Sequence, residues 1–414
     1  MSLKIAVIGS GISGLTSAYI LSQYHDVHLF EANDTLGGHT HTVAINSDHQ
    51  VSNIDCGFIV FNKKTYPNFT KILDKEKILY EKSEMSFSFY APKNNFYYNG
   101  HSLTSLFCDS RNLYNPAFYR MLYDIFKFNT QSKKKLRNKA IHQISLKTYL
   151  AMSNYSSLFI DSYLVPMVSA IWSCPKKKAL EMPLSFLLNF YENHGLLNFI
   201  NRPQWYVIKN GSSQYIPKLI SRFKNNIHLS AKVRNISRKG EQVEIFVNGN
   251  PLAFDKVIIA THSNEALEML EQPNAAEIAI LGAIKYEDNQ IILHNDTKVM
   301  PPNKKAWASW NYYENASGVC TLNYYANRLQ NLSLEQDFIV SVNLQDQIDP
   351  DKILMKKNFS HPILNQEAID AQLQFSNING INNTYFCGAY WGNGFHEDGV
   401  QSAQRVCAEL RAFL

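Results

Sequence analysis

The stretch Gly9-Ser10-Gly11-Ile12-Ser13-Gly14 has the residue types and spacing to hold a phosphate group. The apolar run Lys4–Ile8 leads into it, and a helical stretch to about Tyr24 follows. A second apolar run, Val27–Phe30, ends in Glu31 and Ala32. In that setting Gly9 permits a tight turn, Gly11 lets a pyrophosphate approach the backbone, and Gly14 lets the helix pack on the strand. The helix start at Ile12 and Ser13 offers free N–H groups and a positive dipole end, which suit a diphosphate. Glu31 stands where it can accept hydrogen bonds from an adenosine ribose, and an acid there disfavours a ribose that carries a phosphate. A glycine-rich turn in an ordinary α/β unit is the competing reading; the register of all these features argues against it.

Two other groups of residues could do chemistry. His396 and Glu397 lie in a loop broken by Gly392, Gly394 and Gly399 and are the candidates for acid–base work. The alternative is that His396 bonds within the loop and Glu397 faces solvent. His39 and His41 alternate, with His25, His28 and His49 near in sequence, but no Cys or Glu completes a metal-ligand spacing. No metal is expected, and His39 is read as a phosphate neighbour in the loop Gly37-Gly38-His39-Thr40.

The elements that must position these residues come in separated blocks. One runs from about Trp205 to Thr261: a helix from Ser212 or Ser213 to about Phe223, strands at Ile227–Leu229 and Val243–Val247, an Asn248-Gly249 hairpin turn, and a buried strand Lys256–Thr261. Ser263 can cap the helix that follows, with Glu265 in its first turn. The last block is a strand, Thr384–Gly388, the glycine loop, and a helix that Asp398 can cap, with Ala403, Val406, Cys407, Leu410 and Phe413 on one face. Two insertions separate these blocks. The first carries a hairpin of Met85, Phe87 and Phe89 with Phe96, Tyr97 and Tyr98, then an aromatic stretch ending in Lys127, Lys133, Lys134, Lys135, Arg137 and Lys139.

Composition bounds the rest. At 414 residues the chain exceeds a usual single core. It holds 24 Phe, 23 Tyr and 5 Trp, an aromatic excess that suits an apolar pocket. A net charge of +5 on this length gives no reason to expect nucleic acid. Six scattered cysteines without a CxxC fit reduced thiols in a cytosol. A strand starting at residue 3 or 4 leaves no room for a signal peptide, and no run of 18 apolar residues suggests a spanning helix. The expected localisation is therefore cytoplasmic. The Lys127–Lys139 region is a candidate for peripheral membrane contact, against a core helix followed by a solvated basic surface.

The order Gly9-x-Gly11-x-x-Gly14, Glu31, Gly37-Gly38, a strand ending Ala260-Thr261, and the closing Phe386-Cys387-Gly388…Gly399 segment resembles the flavin-dependent amine oxidase and phytoene desaturase superfamily. More closely, Leu36–Thr42, Asp55–Asn62, Ala170–Ser173, Arg202–Trp205 and Gly394–Gly399 resemble a branch of bacterial predicted NAD/FAD-binding proteins. The oxidase-like N-terminal part of plant cyclopropane-fatty-acid synthases is similar. The resemblance implies non-covalent FAD held by the residues above. It adds Val233 at the adenine, and Gly388, Glu397, Gly399 and Val400 facing the ribityl chain and flavin ring. It also places Phe395 where related oxidases have an aromatic-cage tyrosine. Tyr390, Trp391 and Trp310 complete the expected substrate pocket, with core packing an equal competitor for Trp310. The departures are His39 in place of a basic residue, Ala389 or Tyr390 in place of a glutamate, no lysine in Asn264–Glu268, and no flavin-tethering cysteine motif.

The expected fold is α/β with α+β insertions: a split Rossmann-like FAD-binding domain (1–64, 201–265 and 371–414) with an inserted mixed-sheet and helical substrate domain (65–200 and 266–370). The expected function is an FAD-dependent oxidoreductase moving a hydride from a hydrophobic, lipid-like substrate to flavin, with oxygen, a quinone or another acceptor restoring it. A flavin-dependent isomerase and a non-catalytic flavin-binding subunit are the alternatives.

Overall fold

The structure is a computed structural model that describes residues 2–47, 50–136, 144–238, 240, 242–315 and 318–414; His49, Arg137 and Lys139 lie outside the described residues. In chain order the elements used below are β1 (Lys4–Ile8), α1 (Ile12–Leu21), β2 (Asp26–Phe30), α2 (Pro67–Lys75), β3 (Phe87–Ala91), β4 (Phe96–Asn99), α3 (Pro116–Leu136), β5 (Ile227–His228), β6 (Lys256–Ile259), β7 (Lys285–His294), β8 (Trp310–Tyr313), β9 (Leu322–Tyr325), β10 (Ile339–Val342), β11 (Ile353–Ile363), β12 (Thr384–Phe386) and α4 (His396–Glu409).

A five-stranded parallel sheet is ordered β5-β2-β1-β6-β12. β1 reads as a continuous apolar run because a central parallel strand is covered on both faces. α1 is buried along its whole length, between this sheet and α4. Small residues permit that approach. A Cβ on Gly399 of α4 would stand 2.7 Å from Ile12 Cγ2 and 2.9 Å from Ser13 Oγ. The second large sheet is seven-stranded and mixed, ordered β11-β7-β10-β9-β8-β3-β4, with β8 and β3 the parallel pair. The hairpin expected between Phe87 and Tyr98 is its edge. Helices from the first insertion pack on this sheet in one aromatic-rich core that includes Phe89, Phe118, Phe128, Phe159 and Tyr312.

Four local expectations are corrected. The segment after Gly211 is two short turns, Ser212–Tyr215 and Ile216–Leu219, not one helix to Phe223; Pro217 has no N–H to continue the ladder across the join. His262, not Ser263, is the N-cap of the helix Ser263–Met269, and its N–H donates to Glu265. Asp398 is the third residue of α4 rather than its cap, and its carboxylate accepts from Phe395 N at 2.9 Å. Finally, α2 shares a core with α1 and β1 through Phe69, Ile72 and Leu73, so no change of core falls at residue 64.

Glu397 explains how α2 is held. Tyr66, the N-cap of α2, makes no side-chain capping bond. The buried Glu397 carboxylate instead accepts from Asn68 N (3.1 Å), Phe69 N (3.0 Å) and Asn68 Nδ2 (2.6 Å). An anion at that end also meets the helix dipole favourably. Glu397→Ala is expected to lower the unfolding free energy by about 2 kcal/mol. Urea unfolding measures it, and an unchanged midpoint would contradict the role.

Candidate functional site

The parallel sheet ends in a turn built from close contacts. Gly9 has φ +97°, and a Cβ there would stand 2.9 Å from Ala260 O at the end of β6. A Cβ on Gly14 would overlap Gly9 O, and one on Gly38 would stand 3.0 Å from Gly11 Cα. A Cβ on Gly11, by contrast, would meet nothing within 4 Å. The first turn of α1 carries no side-chain cap and no acidic residue. Its free N–H groups therefore face open space, and this cradle fits a diphosphate.

That open space is one end of a cavity of about 1240 Å³. Gly9, Gly11, Ile12, Ser13, Glu31, Ala32, Gly38, His39, Thr40, Val233, Ala260, Thr261, Gly388, Tyr390, Phe395, His396 and Trp310 all line it. Three stretches remote in sequence thus meet in one cavity. Gly14 and Gly37 lie behind the wall, where Gly14 packs α1 on β1 and Gly37 N donates to Ser10 O at 3.2 Å.

Four expected site residues are placed elsewhere. Glu397 is turned away to α2 and does not line the cavity. Gly399 and Val400 pack α4 on α1, because α4 starts at His396 and carries them past its first turn. Trp391 donates from Nε1 to Phe386 O at 3.2 Å and sets its ring 5.0 Å from Phe375, outside the cavity.

Glu31 is buried and already engaged. Its Oε2 accepts from Ser10 N (3.0 Å) and Ser10 Oγ (2.5 Å), and its Oε1 from Asn33 N (2.8 Å) and Asn33 Nδ2 (2.7 Å). Those four bonds fill the usual acceptor positions of a carboxylate. A ribose can bond Glu31 only by displacing the Ser10 hydroxyl or the Asn33 amide, the two mobile donors of the four.

His396 lines the cavity. Its ring stacks on Phe58 at 3.6 Å, and its Nε2 lies 3.0 Å from Thr40 Oγ1. Thr40 Oγ1 in turn lies 2.5 Å from Tyr215 Oη. Burial pushes the pKa of His396 down to about 3. The imidazole is therefore neutral near pH 7. Its bonds make it a support for Thr40.

Beyond His396 the cavity is aromatic. Phe395 stacks on Phe190 at 5.2 Å, and Trp172 Nε1 donates to Asn393 O at 3.1 Å. His194 lies over Phe190 at 3.8 Å, with its pKa lowered to about 4 by burial. Trp205 and Tyr191 line the same chamber. A second group, which sequence reasoning missed, comes from β11. Lys357, Phe359 and His361 alternate and line the cavity, with the Phe359 ring 4.7 Å from His39. His361 and His262 approach His39 at 5.2 and 5.8 Å. Burial depresses all three histidines, His361 to about 4. Asn358, Ser360 and Pro362 line the cavity as well, so no alternation in the sequence marks this group.

A parallel sheet with an open helix start at one cavity, and aromatic side chains on the wall of the same cavity, is the arrangement of a nucleotide-binding protein with a second, apolar binding region. The family model described as flavin containing amine oxidoreductase matches residues 12–328, and the chain belongs to that family of flavin oxidoreductases. Solved structures agree on the fold. Cyclohexylamine oxidase from Brevibacterium oxydans is similar at a TM-score of 0.69 and 13% identity, over 99% of this chain and 100% of that one. A fatty acid isomerase from P. acnes that produces CLA is similar at 0.70 and 13%, over 98% of each chain. A putative protoporphyrinogen oxidase from Exiguobacterium sp. is similar at 0.68 and 13%, over 99% of each. No curated protein sequence matches the chain.

The low pKa of His396 has a signed consequence. The unfolded ring takes up a proton near pH 6.5 and the folded one does not until about pH 3. The stability this neutral ring permits is complete above pH 6.5 and is lost as pH falls toward 3. The unfolding free energy of wild type minus that of His396→Gln is expected to fall by roughly 2 kcal/mol between pH 7 and pH 5. Denaturant unfolding at both pH values checks this; a difference that ignores pH would contradict it.

Proposed function

We propose that this protein binds FAD without a covalent link and uses it to oxidise an apolar, lipid-like substrate by hydride removal. The observation that carries the reading is the continuity of one cavity. Its one end is a phosphate cradle, and its other end is walled by Trp172, Phe190, Tyr191, Trp205 and Phe395.

Several features of the chain support it. The cradle would hold the diphosphate on the amides of Ile12 and Ser13, with Val233 and Glu31 at the adenosine. FAD bound there supplies the acceptor for a hydride leaving a C–H bond. Phe58 and His396 stack on one another in the wall, and the neutral His194 and His396 add no charge to it. The aromatic surface suits an apolar chain. Cys56 is the cysteine that lines the cavity; its thiol donates to Ile54 O at 3.7 Å, and burial holds it well above the usual thiol range. Such a thiol is a poor nucleophile for tethering a flavin. A fatty acid isomerase is among the solved structures of similar fold, which is in keeping with this reading.

The purified protein is expected to be yellow, to show the bands of oxidised flavin, and to release FAD on denaturation. Gly11→Val fills the open space at the cradle and is expected to cut FAD retention by roughly tenfold or more, while Tm of the apo form stays near wild type. Under anaerobic conditions an unsaturated acyl substrate is expected to bleach the flavin, and a short polar diamine is not. Bleaching by the diamine alone would overturn the apolar reading. A product with a shifted double bond and no net electron transfer would replace oxidation with isomerisation.

A further inference from the structure

The outer face of α3 is apolar where a soluble helix is usually polar. Tyr119, Tyr123, Phe126 and Lys133 recur at spacings of four, three and seven and so share one stripe. Tyr123 and Phe126 are 57% and 55% exposed. Across from them, Phe199 and Ile200 are 54% and 78% exposed, and Phe126 stacks on Phe199 with ring centroids 6.0 Å apart. Two cations flank this patch and are fixed on one residue. Lys133 Nζ donates to Asn198 Oδ1 at 2.5 Å, and Arg202 Nε donates to Asn198 O at 2.8 Å. The acid of the same helix, Asp124, is buried and paired with Arg120 at 3.2 Å, so it does not offset them.

The patch is also a cavity mouth. Phe199 and Arg202 are exposed and line the cavity, and the half-buried Leu122 and Ile125 on the neighbouring face of α3 line it too. Not every lysine of the region takes part. Lys127 spends its ammonium on Asn154 O at 3.1 Å, and Lys135 lies over the Tyr149 ring at 4.9 Å.

We propose that this face seats on an anionic lipid bilayer, with the aromatic stripe at acyl-chain level and Lys133, Lys134 and Arg202 at the headgroups, so that an apolar substrate enters between Phe199 and Arg202. The charge pattern and the continuity with the cavity select this occupant. Entry of substrate rests on the function proposed above; seating on the bilayer does not.

The test uses the full-length, FAD-loaded protein in vesicle co-sedimentation. Phosphatidylcholine vesicles are compared with vesicles of about one-third phosphatidylglycerol. Binding is expected to the anionic vesicles only, and to weaken at about 1 M NaCl, where exposed charges are screened within ~3 Å. Lys133→Glu/Lys134→Glu and, separately, Tyr123→Ser/Ile200→Ser are each expected to lower the partition coefficient by roughly tenfold or more. The second pair touches only exposed side chains and guards against a folding defect in the first. Wild type that ignores both vesicles, or variants that bind as wild type does, would overturn the proposal. So would a dimer, seen by light scattering, that Tyr123→Ser/Ile200→Ser dissociates, since a second copy would then own the face. Failure to bind vesicles while dissolved acyl substrate still bleaches the flavin would sink this inference alone. Vesicle binding without any reaction toward apolar substrates would sink the proposed function alone.

Discussion

The absence of side chains at a few backbone crossings is the constraint on which the rest depends. Gly9 touches the end of β6, Gly14 touches Gly9, Gly38 touches Gly11, and Gly399 touches Ile12 and Ser13. Apart from the local Gly14–Gly9 contact, each crossing joins segments far apart in the chain. A methyl group at any of them would push the strand end, the second loop or α4 away from the start of α1. With all of them closed, the free N–H groups of α1 face the one direction left open, the direction in which a Cβ on Gly11 would point. The phosphate cradle is therefore a consequence of packing as much as of the motif.

The same packing sets the electrostatics of the cavity. Burying His39, His194, His361 and His396 with few acidic partners keeps the rings neutral near pH 7. Glu31, Glu265 and Glu268 line the cavity, while other carboxylates near it serve structural tasks: Glu397 at the start of α2, Asp55 with Ser212 and Thr42, and Asp398 with Phe395. The wall at Trp172, Phe190, Tyr191, Trp205 and Phe395 is aromatic. An oxidoreductase with such a wall relies on its cofactor for chemistry and on its side chains for placement and exclusion of water.

What the sequence made legible was what local rules determine. β1, β2, β6 and β12 follow from short apolar runs, and the turn at Gly9–Gly14 from spacing alone. The hairpin at β3 and β4 followed from alternation around Lys93–Asn95. Motifs scattered over Leu36–Thr42, Asp55–Asn62, Ala170–Ser173, Arg202–Trp205 and Gly394–Gly399 all reach the cavity. What stayed hidden depends on helix phase and on partners far along the chain. Glu397 and Phe395 are two residues apart, yet one caps α2 and the other lines the chamber, because α4 starts earlier than Asp398 suggests. Trp391 and Tyr390 are adjacent, yet only Tyr390 reaches the cavity. The Lys357-Phe359-His361 face of β11 carries an ordinary strand pattern; only the pairing of β11 with β7 brings it beside His39.

We propose that residues from the beginning, middle and end of the chain hold a single flavin dinucleotide along its length. A crystal structure of the protein with FAD bound tests this most directly. The diphosphate should lie on the amides of Gly11, Ile12 and Ser13, the adenosine beside Glu31 and Val233, and the ring system between Phe58 and the Gly388–His396 loop. A dinucleotide bound with its ring system outside that loop, or with its phosphates away from the start of α1, would contradict the account.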